Sequence, residues 1–203
     1  MILAIIIITG VVSFMAFSNA QLFDRLKFNA WYIKHDKEWY RFFSYGLVHA
    51  DWPHLLINMF VLWSFSSVVM QFFQFDFGNR AYLYFVLLYV GGILFSTLYD
   101  YAKFRENIYY NAVGASGAVS AVVFSSIILY PAGKIAFIFI PIPIPSWIFG
   151  ILYLVYSAYM GNRGTDNIGH HAHFWGAVYG IVFTFLINSE YPARFYEQLG
   201  IRF

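Results

Sequence analysis

Cysteine is absent from the 203 residues and charge is scarce, with 12 Lys or Arg against 10 Asp or Glu and a net charge of +2. The first absence excludes a disulfide framework, a thiol nucleophile and a cysteine-based metal site. The second, without any basic stripe, excludes nucleic-acid binding. A chain that is 61% hydrophobic is not a disordered segment either. The position of the few charges excludes a soluble globule. All 22 lie within 59 residues, and the other 144 form six uncharged stretches: 1–23, 52–75, 81–99, 107–133, 135–162 and 167–189. Each holds 19 to 28 residues, close to the roughly 20 apolar residues with which a helix crosses a bilayer core. The pattern predicts an all-α, polytopic membrane protein of one domain, residues 1–203. Its spans fall near 1–20, 53–75, 81–99, 114–131, 146–161 and 168–188.

Smaller features refine this plan. The first stretch ends in Ser18-Asn19-Ala20, which resembles a signal-peptide cleavage site. It lacks a basic leader, however, and its apolar run is long, so it reads as a retained span. Segment 24–51 carries nine charges among Trp31, Tyr32, Trp39, Tyr40 and Tyr45. Such aromatics prefer the headgroup level, so 21–51 reads as an interfacial loop. Alternating prolines at 141, 143 and 145 forbid a helix there, and the fifth helix is expected from Ser146. With a cytoplasmic N-terminus, eight basic residues would lie outside and only Arg80, Lys134, Arg194 and Arg202 inside. The positive-inside rule votes for the opposite orientation.

In so apolar a chain the informative residues are the polar ones within spans, each costly unless paired or functional. Three groups stand out. The second stretch is preceded by His49 and Asp51 and contains His54 and Asn58, which share a helix face at i and i+4. Asp51 suits an N-cap, with Pro53 tolerated in the first turn. The fourth contains Gly114-Ala115-Ser116-Gly117, and the sixth opens Asn167-Ile168-Gly169-His170-His171-Ala172-His173. Spans two, four and six enter from one membrane face. Asn58 lies seven residues past Asp51, His173 seven past Asp166, and Ser116 ten past Glu106. A hydroxyl, an imidazole and an amide therefore meet at similar depth.

Together these groups suit acyl transfer. A serine hydroxyl becomes nucleophilic when a histidine accepts its proton. The oxyanion then needs donors, which the Ser116 N–H, His54 and Asn58 can supply. No carboxylate lies inside these spans, so the machinery would be a dyad. Taken singly, each group has a plainer meaning. Gly114–Gly117 and Gly176–Gly180 suit close helix packing. His173 could be a satisfied core histidine or a haem ligand, and His49, His54 and Asn58 could tie one helix to its neighbour. His170 and His171 read as interfacial. Only the joint convergence favours an enzyme.

These residues resemble the rhomboid family of intramembrane serine proteases. His49-Ala-Asp-Trp-Pro-His54-Leu-Leu-Ile-Asn58 is similar to the family's second-helix pattern. Gly114-Ala-Ser116-Gly117 resembles its GxSG motif, and Ala172-His173-Phe-Trp-Gly176-Ala-Val-Tyr-Gly180 its AHxxGxxxG. The resemblance covers nearly the whole chain and implies a six-helix rhomboid-like bundle with Ser116 as nucleophile and His173 as general base. It implies His54 and Asn58 as oxyanion donors, and His49 and Gly114 as support. No cofactor or metal is implied, and the partners would be single-span membrane proteins and the lipid bilayer. It further implies a bacterial inner membrane, with the site facing the outer, periplasmic side. Two departures stand out: Tyr40-Arg41 replaces the family's Trp-Arg, and Ser120 stands four after Ser116, where the family often has an aromatic beneath the catalytic imidazole.

Other chemistries fit less well. A zinc protease would need His-Glu-x-x-His, which is missing, and an aspartyl protease needs a second membrane aspartate beside Asp100. The alternatives retained are a catalytically inactive rhomboid-fold protein that binds membrane helices and, more weakly, a haem or ion-pathway protein using His49, His54 and His173.

Overall fold

The computed structural model describes residues 1–137, 140–163 and 168–201. Asp166 and Asn167, from which the depth of His173 is counted, lie outside the described residues. The chain is mostly helical. Its long elements are α1 (Ile2–Ser18), α5 (Trp52–Phe77), α6 (Ala81–Phe104), α7 (Ser116–Leu129), α8 (Ser146–Arg163) and α9 (His170–Ile187). The segment expected as an interfacial loop folds into three short helices, α2 (Ala20–Leu26), α3 (Ala30–His35) and α4 (Arg41–Ser44). Asn19 and Asn29 cap the first two by accepting from Leu22 and Tyr32 N–H. A final helix, α10, spans Tyr191–Gln198.

The description all-α needs one correction. Lys134–Phe137 (β1) and Ile140–Pro145 (β2) form an antiparallel hairpin, with Ile135 opposite Ile144 and Lys134 opposite Pro145. The prolines exclude helix, as expected, but an extended chain tolerates them on an edge strand. Ser146 N–H donates to Gly133 O at 2.8 Å and closes the hairpin as α8 begins.

Helix α7 is the axis of the fold: every residue after Ser116 is buried, enclosed chiefly by α5, α6 and α9. Leu62, Val69, Phe73, Phe85, Leu88 and Val122 are among the fully enclosed core side chains. The outer faces of α1, α5, α6 and α8 expose Ile7, Phe14, Leu56, Trp63, Leu83, Leu152 and Val155. So extensive an apolar surface suits lipid rather than water. By length and hydropathy, α5 and α6 (Trp52–Phe104) qualify as membrane-crossing, and α9 with α10 qualify as one pair bent by 112°. Among the described residues that makes one or two crossing units against the six expected. Helices α1 and α7 fall short with 17 and 14 residues, because uncharged stretches overstate helix length where part of the stretch is loop.

Two clamps hold the ends of the bundle. At one end Phe28 and Ala112 exchange backbone hydrogen bonds of 2.9 and 3.1 Å. Asn29 Nδ2 donates to Ile108 O at 2.8 Å and to Asn111 Oδ1 at 3.0 Å, so α2–α4 are pinned to the loop that leads into α7. Beneath them the buried Arg41 donates Nη1–H to the carbonyls of Asp24 and Lys27, and pairs with Glu38. Its guanidinium lies 5.0 Å from the Tyr32 ring centroid, so Arg41 ties the three short helices together. Lys34 pairs with Glu106 across the same junction and holds that carboxyl below its ordinary pKa. At the other end Asp76 accepts from Tyr191 Oη at 2.8 Å and from Arg194 at 2.9 Å. Gln198 donates to Leu129 O at 3.1 Å, so α10 fastens the far ends of α5 and α7.

Candidate active site

Ser116 is the first residue of α7 and half-buried at the end of the 105–115 loop. No side chain caps this helix, which leaves its first N–H groups available to an acceptor. The turn before it requires Gly114. Its φ is +103°, and a Cβ there would fall 2.7 Å from His54 Nε2 and 3.5 Å from His49 Cδ2. The glycine therefore lets the His54 ring lie directly on the backbone two residues before the serine. Gly114 N–H donates to Tyr45 O at 3.0 Å, so the turn is tied to the end of α4.

Asp51 caps α5 as expected, its Oδ1 accepting from His54 N–H at 2.7 Å. His54 stands in the first turn, and Asn58, buried one turn below, donates Nδ2–H to His54 O at 2.8 Å. Ala50 N–H donates to His54 Nδ1 at 3.5 Å. An acceptor at Nδ1 leaves Nε2 as the N–H donor, on the ring edge that faces Gly114.

His49 is fully enclosed, and its two nitrogens can be assigned. Ser13 Oγ donates its proton to Leu47 O at 2.8 Å, so at 2.9 Å from His49 Nδ1 it accepts. Ala115 N–H donates to Nε2 at 3.3 Å. The imidazole is thus neutral with its proton on Nδ1, and it links α1 to the residue before Ser116. Nothing in the sequence pairs Ser13 with His49; the one available signal was a hydroxyl within an apolar run. Desolvation first, then the adjacent His54, lower the His49 pKa to about 3, with Asp51 opposing weakly.

A pH dependence follows. Above pH ~6.5 both folded and unfolded His49 are neutral and the residue contributes no slope. Below it the unfolded chain binds a proton that the fold excludes, so stability is lost progressively until the folded ring protonates near pH 3. The expected slope is about 1.4 kcal/mol per pH unit in that window. Unfolding midpoints in detergent between pH 7 and 4 should fall for the wild type, and fall less for His49→Gln. Parallel curves for the two proteins would refute the assignment.

His173 stands in the first turn of α9. Its helix meets α7 at glycines: a Cβ on Gly117 would lie 3.3 Å from Ala172 O, and one on Gly176 would lie 2.8 Å from Gly117 C. Ser116 and His173 are each adjacent in sequence to this backbone contact. Among the described residues no hydrogen bond joins the two side chains. The His173 ring lies 6.4 Å from Tyr153 of α8, inclined by 30°, and 6.1 Å from His170, inclined by 79°. His170 is buried, with the Tyr156 ring edge-on at 5.5 Å.

The six sequence-derived site residues therefore fall in two connected groups. His49, His54 and Gly114 lie at the turn into Ser116, with Asn58 bonded to the His54 carbonyl one turn below, and His173 flanks the adjoining α7–α9 seam. The positions within each helix can be compared directly. Ser116 is the first residue of its helix, His54 the third, His173 the fourth and Asn58 the seventh. Sequence reasoning missed Ser13, Tyr153 and the burial of His170. No group of three or more His, Cys, Asp or Glu side chains suited to a metal is found among the described residues.

A helical membrane domain with a serine at an uncapped helix start and histidines on two neighbouring helices defines a recognisable class. A family model described as Rhomboid domain matches residues 36–190, and the chain belongs to the rhomboid family. It is 29% identical over 143 residues to the mitochondrial presenilin-associated rhomboid-like protein of Bos taurus, an alignment covering 66% of this chain and 34% of that protein. It is 25% identical over 141 residues to the mitochondrial rhomboid protein 1 of Saccharomyces cerevisiae, covering 70% and 40%. With the chloroplastic rhomboid-like protein 11 of Arabidopsis thaliana it shares 28% over 175 residues, covering 82% and 59%. The chain thus spans about a third to three-fifths of these relatives' lengths. One expectation is overturned: these relatives are mitochondrial and chloroplastic, so a bacterial inner membrane with a periplasmic site does not stand. Apolar spans and sparse charge mark a bilayer without specifying which one.

Proposed function

We propose that this protein is an intramembrane serine endopeptidase that cleaves transmembrane-helix substrates through a Ser116–His173 dyad. The observation that carries the reading is the turn into α7. It presents a hydroxyl on the first residue of an uncapped helix, with His54 seated on Gly114 and His173 across the Gly117–Gly176 contact. Family membership supports the six-span arrangement, and the relatives' compartments favour an organellar membrane.

In the proposed reaction His173 takes the Ser116 proton as Oγ attacks a peptide carbonyl, and the resulting imidazolium protonates the leaving amine. The acyl-enzyme is hydrolysed by water activated by the same ring. The oxyanion meets the Ser116 N–H, with the His54 Nε2–H and Asn58 as further donors. His49 holds the preceding peptide through its bond from Ala115 N–H. A substrate helix must unwind to expose its carbonyl, so cleavage near Gly, Pro or small residues is expected. Single-span membrane proteins are the substrates this favours.

A second reading, a non-catalytic rhomboid-fold protein that binds membrane helices, is favoured by one feature: Ser116 and His173 are not hydrogen-bonded to each other. Catalytic hydrogen bonds often tighten only in the substrate complex. A fluorophosphonate probe separates the two readings. Mass spectrometry should find a stoichiometric adduct on Ser116 of the folded protein, with loss of labelling in His173→Ala. A folded protein that stays unlabelled would leave the binding reading in its place.

A further inference from the structure

We infer that Tyr153 of α8 is the positioning residue for the His173 imidazole, itself held by Ser120; this rests on the proposed dyad. Ser120 lies one turn after Ser116 on the same face of α7 and is buried. Its hydroxyl is bonded to Tyr153 Oη at 2.7 Å, which gives the phenol the polar partner that burial demands. Phe124 and Phe149 flank the tyrosine ring at centroid distances of 5.5 and 5.7 Å. The ring is thereby fixed by a hydroxyl and two aromatics, and it inclines toward His173 at 6.4 Å. His170 closes an adjacent side.

This arrangement answers a question raised by the sequence. With serine at 120, α7 itself offers no aromatic to the imidazole. The aromatic comes instead from a different helix, and the small residue at 120 both makes room for it and tethers its tip. An imidazole in the first turn of a helix has two free torsions, and a ring on one flank removes much of that freedom. The nucleophile's helix and the base's support are then joined through the Ser120–Tyr153 bond, so Ser116 and His173 are registered to each other through α8.

The test is kinetic, with purified protein in proteoliposomes and a transmembrane reporter peptide. Tyr153→Leu should lower kcat about 10- to 100-fold, with KM changed by less than about twofold and the unfolding midpoint close to the wild type's. Tyr153→Phe keeps the ring and should retain kcat within about threefold, since only one neutral hydrogen bond is lost. Its effect should be non-additive with that of Ser120→Ala, because each removes the same bond. If Tyr153→Leu fails to fold, Tyr153→Phe and Ser120→Ala decide alone: coupled small losses support the inference, and independent or absent losses overturn it. An undiminished kcat in folded Tyr153→Leu overturns the inference while leaving the protease reading intact. So does a loss in Tyr153→Phe as large as that in Tyr153→Leu. A wild-type protein that neither cleaves nor labels at Ser116 overturns both.

Discussion

Ser116→Ala and His173→Ala are each expected to reduce cleavage of a transmembrane reporter by about a thousandfold or more, and the double variant by no more than either single one. A hydroxyl without its base remains a weak nucleophile, and a base without its hydroxyl has nothing to activate. The two losses therefore describe one event, and their free energies must not add. Rates measured in proteoliposomes provide the check, with unfolding midpoints confirming that both variants remain folded. Additive losses would mean that the residues act in separate steps, and retained activity in either would remove it from the dyad. His54→Ala should be milder, about 10- to 1000-fold, because one oxyanion donor is lost while the others remain.

The second large effect is expected at Gly176. A methyl group there would lie 2.8 Å from the carbonyl carbon of Gly117 and 3.0 Å from its Cα, and would overlap the carbonyl oxygen. Both partners are backbone within helices, so no side chain can turn aside. Gly176→Ala must part α9 from α7, at a cost of about 3 kcal/mol, and the parting occurs beside both Ser116 and His173. A displacement near 1 Å at reacting atoms costs about a hundredfold in rate. Gly180→Ala meets Ala121 in the same way, 2.8 Å from its carbonyl carbon. It should destabilise equally but reduce activity less, since it lies a further turn from the histidine. Gly10→Ala, with no atom within 4 Å of the added carbon, is the neutral control. Unfolding midpoints and kcat together test this. Equal behaviour of Gly176→Ala and Gly10→Ala would refute the close seam.

Much of the site was legible because the bilayer removes camouflage. In an apolar stretch a histidine, asparagine or serine is conspicuous, which singles out Ser116, His173, His54 and Asn58 as candidates. Local backbone chemistry was equally readable: Asp51 as a cap, and the prolines that delay α8 until Ser146. Ser13 and Tyr153 were not. A serine on α1 and a tyrosine among others on α8 carry no local mark of their partners, and only the packing brings them to His49, His173 and Ser120. The burial of His170 is not legible either, because a position at a span's edge suggests water, whereas Tyr156 of α8 packs against it. Composition predicts a loop lying along the interface for 21–51. Its three short helices depend on asparagine caps and on Arg41, whose carbonyl partners come from residues 14 and 17 positions earlier.

The proline-rich hairpin has a consequence for how copies of this chain meet one another. Ser146 donates to Gly133, and Ile144 sits opposite Ile135. Pro141, Pro143 and Pro145 have no backbone N–H to give to any strand. Every second residue of β2 therefore brings a carbonyl oxygen without a donor beside it. A further strand laid along it would find fewer donors than acceptors and leave carbonyls of its own unanswered. In a crowded membrane, where so apolar a ribbon would otherwise recruit its own copies, the sheet stops at two strands.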